Sequence, residues 1–327
     1  MWSFALAIIV ALGLCVAPRV AVAQTPSKTY RVGVLASSTE VNFGPGVKIF
    51  REALHAAGWV EGQNLALDVR YTSGYAQLKQ LATELVRLKV DVIAALGTPA
   101  IQAAKEATTT IPIVMESLSD VVAGGLVQSL ARPGGNVTGV SGFAPELSGK
   151  RLELIREILP RAERIAVLVN RSNPVTASVV LRATETAAQQ MRMKLDITDV
   201  QGRTGLAPAF EAMQRKRADA LMLVADPALF TERPLIVELA AKHRLPAIYE
   251  TRGWAESGGF LSYGPRSQDR FQRMAVYVDR ILRGANPGDL PIERPTTFEL
   301  IVNLKTAQAL GLTIPQSVLV RADEIIR

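Results

Sequence analysis

Three residue pairs share a design that suits ligand binding, a helix-capping residue followed by proline. They are Thr98-Pro99, Asn173-Pro174 and Asp226-Pro227, and each follows an apolar run or the loop after it. Thr, Asn and Asp are favoured helix N-caps, and Pro is favoured at the first helical position. A helix N-terminus presents unpaired N–H groups and a positive dipole end, which suit a carboxylate. Helix capping alone is the competing explanation for each pair.

Further polar and aromatic side chains follow predicted strands at the equivalent point. Ligands of open α/β sheets bind beyond the carboxyl ends of the strands, so these residues are also candidates for ligand binding. Hydroxyls and amides would bond a small polar ligand, a carboxylate would hold an ammonium group, and a tyrosine ring would stack on an apolar or aromatic group. For the tyrosines, a place in the core or at the rim is the alternative. These further candidates are Ser37, Ser38, Glu116, Ser117, Asp120, Asn170, Tyr249, Glu250 and Tyr263.

Signals for an enzyme are weak in this sequence. Its two histidines, His55 and His243, fall near predicted helix ends, where a surface role is favoured over that of a general base. The sequence contains no nucleophile elbow, phosphate-binding loop or histidine spacing typical of a metal site. We therefore assign no catalytic residue, no metal and no cofactor, and an α/β enzyme is the disfavoured alternative.

The composition indicates a folded, basic protein. The chain has 327 residues, of which 48% are hydrophobic and 20% charged, so it can bury a substantial core. Its formal net charge is +7, but the basic residues are scattered and aromatic residues make up only 6%. Without basic segments interleaved with aromatics, a solvated basic surface is favoured and no nucleic-acid partner is expected.

The N-terminal segment resembles a secretory signal peptide. Residues 4–17 are apolar, and Ala21-Val22-Ala23 has the small-residue pattern of a cleavage site. We expect cleavage after Ala23 and a periplasmic location, with an uncleaved signal anchor as the alternative. The single cysteine, Cys15, lies in this segment and follows Leu14, which does not suit lipidation. The mature chain would therefore contain no disulfide.

Apolar runs of strand length alternate with amphipathic stretches along the rest of the chain. This alternation predicts parallel sheets covered by helices on both faces. We expect two sheets of about five strands each, with Leu65–Tyr71 near an edge and a late strand at 298–303. Two of the helices are predicted at 45–57 and at 120–130. The fold class is thus α/β, with two similar doubly wound parallel-sheet lobes joined by crossover segments.

The lobe boundary is predicted near residue 145. A turn at 131–136 and a polar stretch at 143–149 mark it. Lobe 1 would comprise residues 28–145 with part of 265–292, and lobe 2 residues 146–264 with part of 293–327. If the lobes face each other, the candidate residues at their strand ends line one cleft.

Several segments resemble the substrate-binding proteins of ABC transporters, in the group that includes tryptophan- and tyrosine-type binding proteins. Among them are GWVEGQNL at 58–65, SLARPGGNVTG at 129–139 and FELIVNLKTA at 298–307. The resemblance covers essentially all of the mature chain. It implies a type I periplasmic-binding fold that closes on a small ligand and docks on a membrane permease with its ATPase.

Two departures from the family pattern bear on the site. Asp120-Val121 stands where the family usually has Asp-Pro, and the loop at 37–42 is among the least similar. The resemblance therefore does not identify the ligand, for which an amino acid is the default expectation. We expect a monomeric receptor of an ABC importer. The alternative is a periplasmic sensing module that feeds a receptor kinase.

Overall fold

The computed structural model describes residues 28–142 and 144–327. The predicted signal peptide, its cleavage site after Ala23 and Cys15 lie outside the described residues. Within them, no helix combines the length and the apolar character needed to cross a membrane.

The first sheet is five-stranded and entirely parallel, with the order β2-β1-β3-β4-β5. The prediction that Leu65–Tyr71 lies at an edge is confirmed. The central strands are buried on both faces, which explains their continuous apolar sequences. The strands are β1 (Tyr30–Ala36), β2 (Leu65–Tyr71), β3 (Val92–Leu96), β4 (Ile113–Ser117) and β5 (Val137–Ser141).

The second sheet has seven strands rather than the expected five, in the order β12-β11-β10-β9-β8-β6-β7. The late strand at 298–303 joins it antiparallel to its neighbour, and a short C-terminal strand that the sequence did not suggest forms the edge. The other pairs are parallel. The strands are β6 (Arg164–Val169), β7 (Lys194–Asp199), β8 (Ala220–Leu223), β9 (Ala247–Tyr249), β10 (Leu261–Pro265), β11 (Phe298–Asn303) and β12 (Glu324–Ile326).

Helices cover both faces of each sheet, as the alternating pattern predicted. They are α1 (Glu40–Ala56), α2 (Tyr75–Arg87), α3 (Thr98–Ala107), α4 (Ala144–Ile158), α5 (Pro174–Gln190), α6 (Leu206–Arg215), α7 (Pro227–Thr231), α8 (Arg233–Lys242), α9 (Arg252–Glu256), α10 (Ser267–Leu282), α11 (Leu304–Ala309) and α12 (Gln316–Leu319).

Helix α10 packs on the first sheet, although it follows β10 of the second sheet in sequence. Its Phe271 and Met274 pack with Val34 of β1 and Phe50 of α1, while α2 and α3 cover the opposite face. The chain then returns, because β11 and β12 extend the second sheet. We call the first sheet with α1, α2, α3 and α10 lobe 1, and the second sheet with its helices lobe 2. The chain thus passes between the lobes after β5, after β10 and before β11.

Two predicted helices differ from the structure. The first, α1, begins at Glu40 rather than at Pro45, because extended Thr39 precedes it and an acidic residue occupies its first turn. The second, expected at 120–130, is a series of turns. Asp120 does accept hydrogen bonds from the Val122 and Ala123 amides, as a cap would. Gly125 then adopts a left-handed φ of 71° and ends the helical path.

Candidate functional site

A cavity of about 690 Å³ lies between the two lobes, within the size range of small-molecule sites. Its wall combines three phenylalanines with charged and hydroxyl side chains from both lobes. Lobe 1 contributes Phe43, Thr98, Glu116, Ser119, Arg270 and Phe271, and lobe 2 contributes Asn173, Thr176, Asp226, Phe230, Arg233, Glu250, Thr251 and Arg252.

The buried carboxylate of Asp226 lies at the centre of a hydrogen-bond network. Its Oδ1 accepts from the Asn170 side-chain amide at 3.0 Å and from the backbone N–H groups of Ala228 at 2.9 Å and Leu229 at 3.1 Å. Its Oδ2 accepts from the Asn173 amide at 3.0 Å and from the Tyr75 hydroxyl at 2.7 Å. With five donors inside the protein, this carboxylate has little capacity left for a ligand ammonium group.

The three capping residues of the sequence pattern have different roles. Asp226 caps α7, because its side chain accepts from the first amides of that helix. Thr98 and Asn173 make no side-chain capping bond to α3 and α5. Instead, the Thr98 hydroxyl lies 3.0 Å from Ser117 Oγ and accepts a 3.3 Å bond from Thr176 of lobe 2. Plain capping therefore explains only one of the three positions.

Direct contacts join the lobes around the cavity. Ser38 Oγ lies 2.8 Å from Thr231 Oγ1, and the Asn42 amide donates to the same threonine at 3.3 Å. Backbone approach is close as well, since a Cβ at Gly97 would lie 3.1 Å from Pro227 Cγ, and one at Gly124 would lie 2.3 Å from Val175 Cγ1. The lobes are thus in a closed arrangement.

A buried ion pair forms part of the lobe 1 wall. Glu116, at the end of β4, pairs with the guanidinium of Arg270 on α10, and Arg270 also donates to Ser267 Oγ at 3.1 Å. Burial lowers the pKa of Arg270 to about 10, so the side chain stays charged at neutral pH. Glu116 is therefore committed to a partner within the protein.

Other polar atoms of the cavity wall have no hydrogen-bond partner within the described protein. The buried Glu250 is the clearest case, because Trp254 donates to its Oε1 at 3.1 Å while Oε2 receives nothing. Burial raises the pKa of the Glu250 carboxyl, and Arg151 partly opposes this. The other unpartnered atoms of wall residues are Ser119 Oγ, Arg233 Nε, Thr251 Oγ1 and Arg270 Nε.

Of the predicted site residues, Thr98, Glu116, Asn173, Asp226 and Glu250 line the cavity. Others lie directly behind or beside them. Ser117 contacts Thr98, Asn170 donates to Asp226, and Ser38 contacts lobe 2. Ser37 is fully buried, and its hydroxyl donates to the Leu96 carbonyl at 2.9 Å. The structure thus brings these nine residues together at the interface of the lobes.

Three predicted residues lie away from the cavity wall. Tyr249 is fully buried in the lobe 2 core and stacks on Trp254 with a centroid distance of 4.6 Å. Tyr263 packs against Phe298, and its carbonyl accepts from Arg151. Asp120 stabilises the turn described above. The aromatic surface comes instead from Phe43, Phe230 and Phe271.

Several wall residues were absent from the predicted set. Ser119 follows β4, and Thr251 follows β9 by one further residue, so the strand-end rule could have found them. Arg270 and Phe271 had no such signal, because they come from the helix that crosses back to lobe 1. No group of three or more potential metal ligands occurs in the part of the chain that the structure describes.

Comparison with known proteins identifies a match over most of the chain. The sequence model of one family, described as ABC transporter substrate binding protein, matches residues 43–326. A curated relative, named tyrosine-binding protein, comes from Clostridioides difficile strain R20291. It is 28% identical over 291 residues, which cover 88% of this chain and 83% of the relative.

Two solved structures differ in how well they superimpose. A Streptococcus pneumoniae ABC domain in complex with L-Trp has 26% identity and a TM-score of 0.86, covering 91% of this chain and 100% of that one. The ligand-free, open structure of a Clostridium difficile substrate binding protein with adhesive properties also has 26% identity, but a TM-score of 0.67, covering 91% and 99%. At equal identity, the lobe arrangement here is nearer to that of the L-Trp complex, which agrees with the contacts between the lobes.

Proposed function

Because the chain belongs to the ABC transporter substrate binding protein family, we propose that it is the periplasmic receptor of an ABC importer and captures an aromatic amino acid between its lobes. The N-terminal segment directs export, and cleavage after Ala23 releases the mature receptor. The loaded receptor, a monomer, delivers its ligand to a membrane permease that is driven by an ATPase.

The observation that carries this proposal is the composition of the cavity wall. Three phenylalanine rings supply apolar surface, and unpartnered polar atoms of both charge types lie in the same wall. An aromatic amino acid has one ring and two oppositely charged groups, so it matches both features. The relatives named for tyrosine and solved with L-Trp support this ligand class.

Ligand binding would act through the equilibrium between open and closed lobes. A ligand shifts such an equilibrium only if it binds one state more tightly than the other. Here the wall residues come from both lobes, so a ligand gains its full set of contacts only in the closed state. The segments that connect the lobes would form the hinge of this movement.

A binding experiment tests the ligand class. The mature protein would be melted with L-tryptophan, L-tyrosine or L-phenylalanine, and with L-leucine and L-lysine as controls. A true ligand at a hundred times its dissociation constant should stabilise the folded state by about 2.7 kcal/mol. A shift with leucine or lysine but with none of the aromatic amino acids would contradict the proposal.

The importer role has a separate test. Uptake of the labelled ligand would be measured in cells that carry or lack this chain, at a ligand concentration near its dissociation constant. Loss of uptake without the chain supports delivery to a permease. Unchanged uptake, together with normal binding in vitro, would contradict an import role while leaving the ligand assignment intact.

A further inference from the structure

Glu250 is a carboxyl group buried in the wall of the interlobe cavity with one oxygen free. Its side chain extends from the residue directly after β9, and only 3% of the residue is exposed. Trp254 occupies Oε1, whereas Oε2 has no donor within the protein. Burying an ionisable group without a full set of partners is costly, so this oxygen is suited to a donor supplied by a ligand.

The other carboxyl groups of the cavity wall already have partners. Asp226 accepts five hydrogen bonds and Glu116 pairs with Arg270. Arg252 engages Glu299 at 2.9 Å and also contacts Glu256 at 3.6 Å. Asp323 accepts from the Leu300 amide at 2.8 Å. Among the described wall residues, Glu250 is therefore the buried acid with an unused acceptor.

Lobe 1 presents the complementary chemistry. Arg270 uses its terminal nitrogens for Glu116 and Ser267, but its Nε has no partner. The hydroxyl of Ser119, which is also buried in this wall, is unpartnered as well. A charged N–H donor and a neutral hydroxyl are suitable partners for a carboxylate.

We propose that Glu250 of lobe 2 binds the ammonium group of the ligand, and that Arg270 and Ser119 of lobe 1 bind its carboxylate. This assignment rests on the proposed function, since it specifies how the same cavity recognises an amino acid. The two charged ends of one zwitterion then bridge the lobes, and loss of either end removes the link to one lobe. Glu250 rather than Asp226 is thus the acid that selects for an amine.

The test uses three related compounds on the mature protein. L-Tryptophan carries both charged groups, indole-3-propionate lacks the ammonium group, and tryptamine lacks the carboxylate. Isothermal titration would give the affinity of each for the wild type and for Glu250→Gln. Glu238→Gln is the matched control, because Glu238 is an exposed acid on α8 of the same lobe and does not line the cavity.

The proposal predicts a selective loss. Glu250→Gln should weaken L-tryptophan and tryptamine binding by about tenfold or more, but change indole-3-propionate binding by less than about twofold. Ser119→Ala should show the converse preference, weakening L-tryptophan and indole-3-propionate more than tryptamine. Glu238→Gln should leave all three affinities unchanged.

Two outcomes would overturn the assignment. One is equal weakening of all three compounds by Glu250→Gln, which would indicate a structural role; the other is no weakening at all. Glu250→Asp, which keeps the charge but shortens the side chain, serves as a second variant. It should still bind tryptamine in preference to indole-3-propionate. If the wild type instead binds no aromatic amino acid, the proposed function itself fails.

Discussion

The hydroxyl of Tyr75, at the start of α2 in lobe 1, donates a 2.7 Å hydrogen bond to the carboxylate of Asp226 in lobe 2. This bond crosses the cleft and joins residues 151 positions apart. Burial and the neighbouring carboxylate both raise the pKa of Tyr75, so the hydroxyl keeps its proton and acts as the donor. The closed state is therefore stabilised in part by the protein itself.

Removing this hydroxyl should favour the open state. Tyr75→Phe keeps the ring but removes the donor, and a hydrogen bond to a charged group contributes about 1.5–3 kcal/mol. We expect ligand affinity to fall by about tenfold in isothermal titration, with a larger radius of gyration in small-angle scattering of the ligand-free protein. Tyr71→Phe, at the end of β2, is the matched control. Unchanged affinity in Tyr75→Phe would show that the bond contributes nothing to closure.

Loss of the Asp226 carboxylate should instead reduce stability. Four of its five donors belong to lobe 2, so Asp226→Ala removes a helix cap and leaves the buried amides of Asn170 and Asn173 without their acceptor. We expect the free energy of unfolding in urea, measured without ligand, to fall by about 3 kcal/mol. A variant with wild-type stability would contradict this, because it would show that the donors around Asp226 do not depend on its carboxylate for folding.

The sequence was sufficient for the general architecture. Continuous apolar runs such as Val92–Leu96 and Ile113–Ser117 predicted buried parallel strands, and alternation in Leu65–Tyr71 predicted an edge. These features depend on local periodicity, which a single sequence contains. The short strand Glu324–Ile326 was missed, because a segment of three exposed or partly exposed residues is too short to show a hydrophobic periodicity.

The site was predicted less completely, for two physical reasons. Tyr249 is the last residue of a central strand, so its ring lies in the core, while the next two residues emerge at the strand end and reach the cavity. The second reason is long-range pairing. The partners of Asp226 and Glu116 come from distant segments, Tyr75 and Arg270, and no local pattern shows that these acids are already engaged.

Gly124 offers a steric test of closure. A Cβ there would lie 2.3 Å from Val175 Cγ1 of lobe 2, which is too close for the closed arrangement. Gly124→Ala should therefore weaken ligand binding, and adding Val175→Ala should restore much of it in a double-mutant cycle. Gly149→Ala, where the new Cβ would make an ordinary 3.6 Å contact within lobe 2, is the control. Failure of Val175→Ala to restore binding would assign the clash to the Asp120 carbonyl, which lies 3.0 Å from the same Cβ.

The stability of the ligand-free protein should depend on pH through Glu250. Burial raises the pKa of this carboxyl above its ordinary value of 4.5, so above that pH the folded state binds more protons than the unfolded state. Stability therefore falls as pH rises through this window. Glutamine does not titrate, so ligand-free Glu250→Gln should be more stable than the wild type at pH about 8, and this advantage should shrink as pH falls towards 4.5.

Urea unfolding at several pH values would measure this difference, with Glu238→Gln as the control that follows the wild type. Added L-tryptophan should make the wild type more stable than Glu250→Gln at high pH, because the ligand ammonium group would supply the partner that the wild-type carboxylate lacks. A ligand-free Glu250→Gln variant that is less stable than the wild type at high pH would contradict the prediction. It would mean that Arg151 alone compensates the buried charge, and that Glu250 has a structural role.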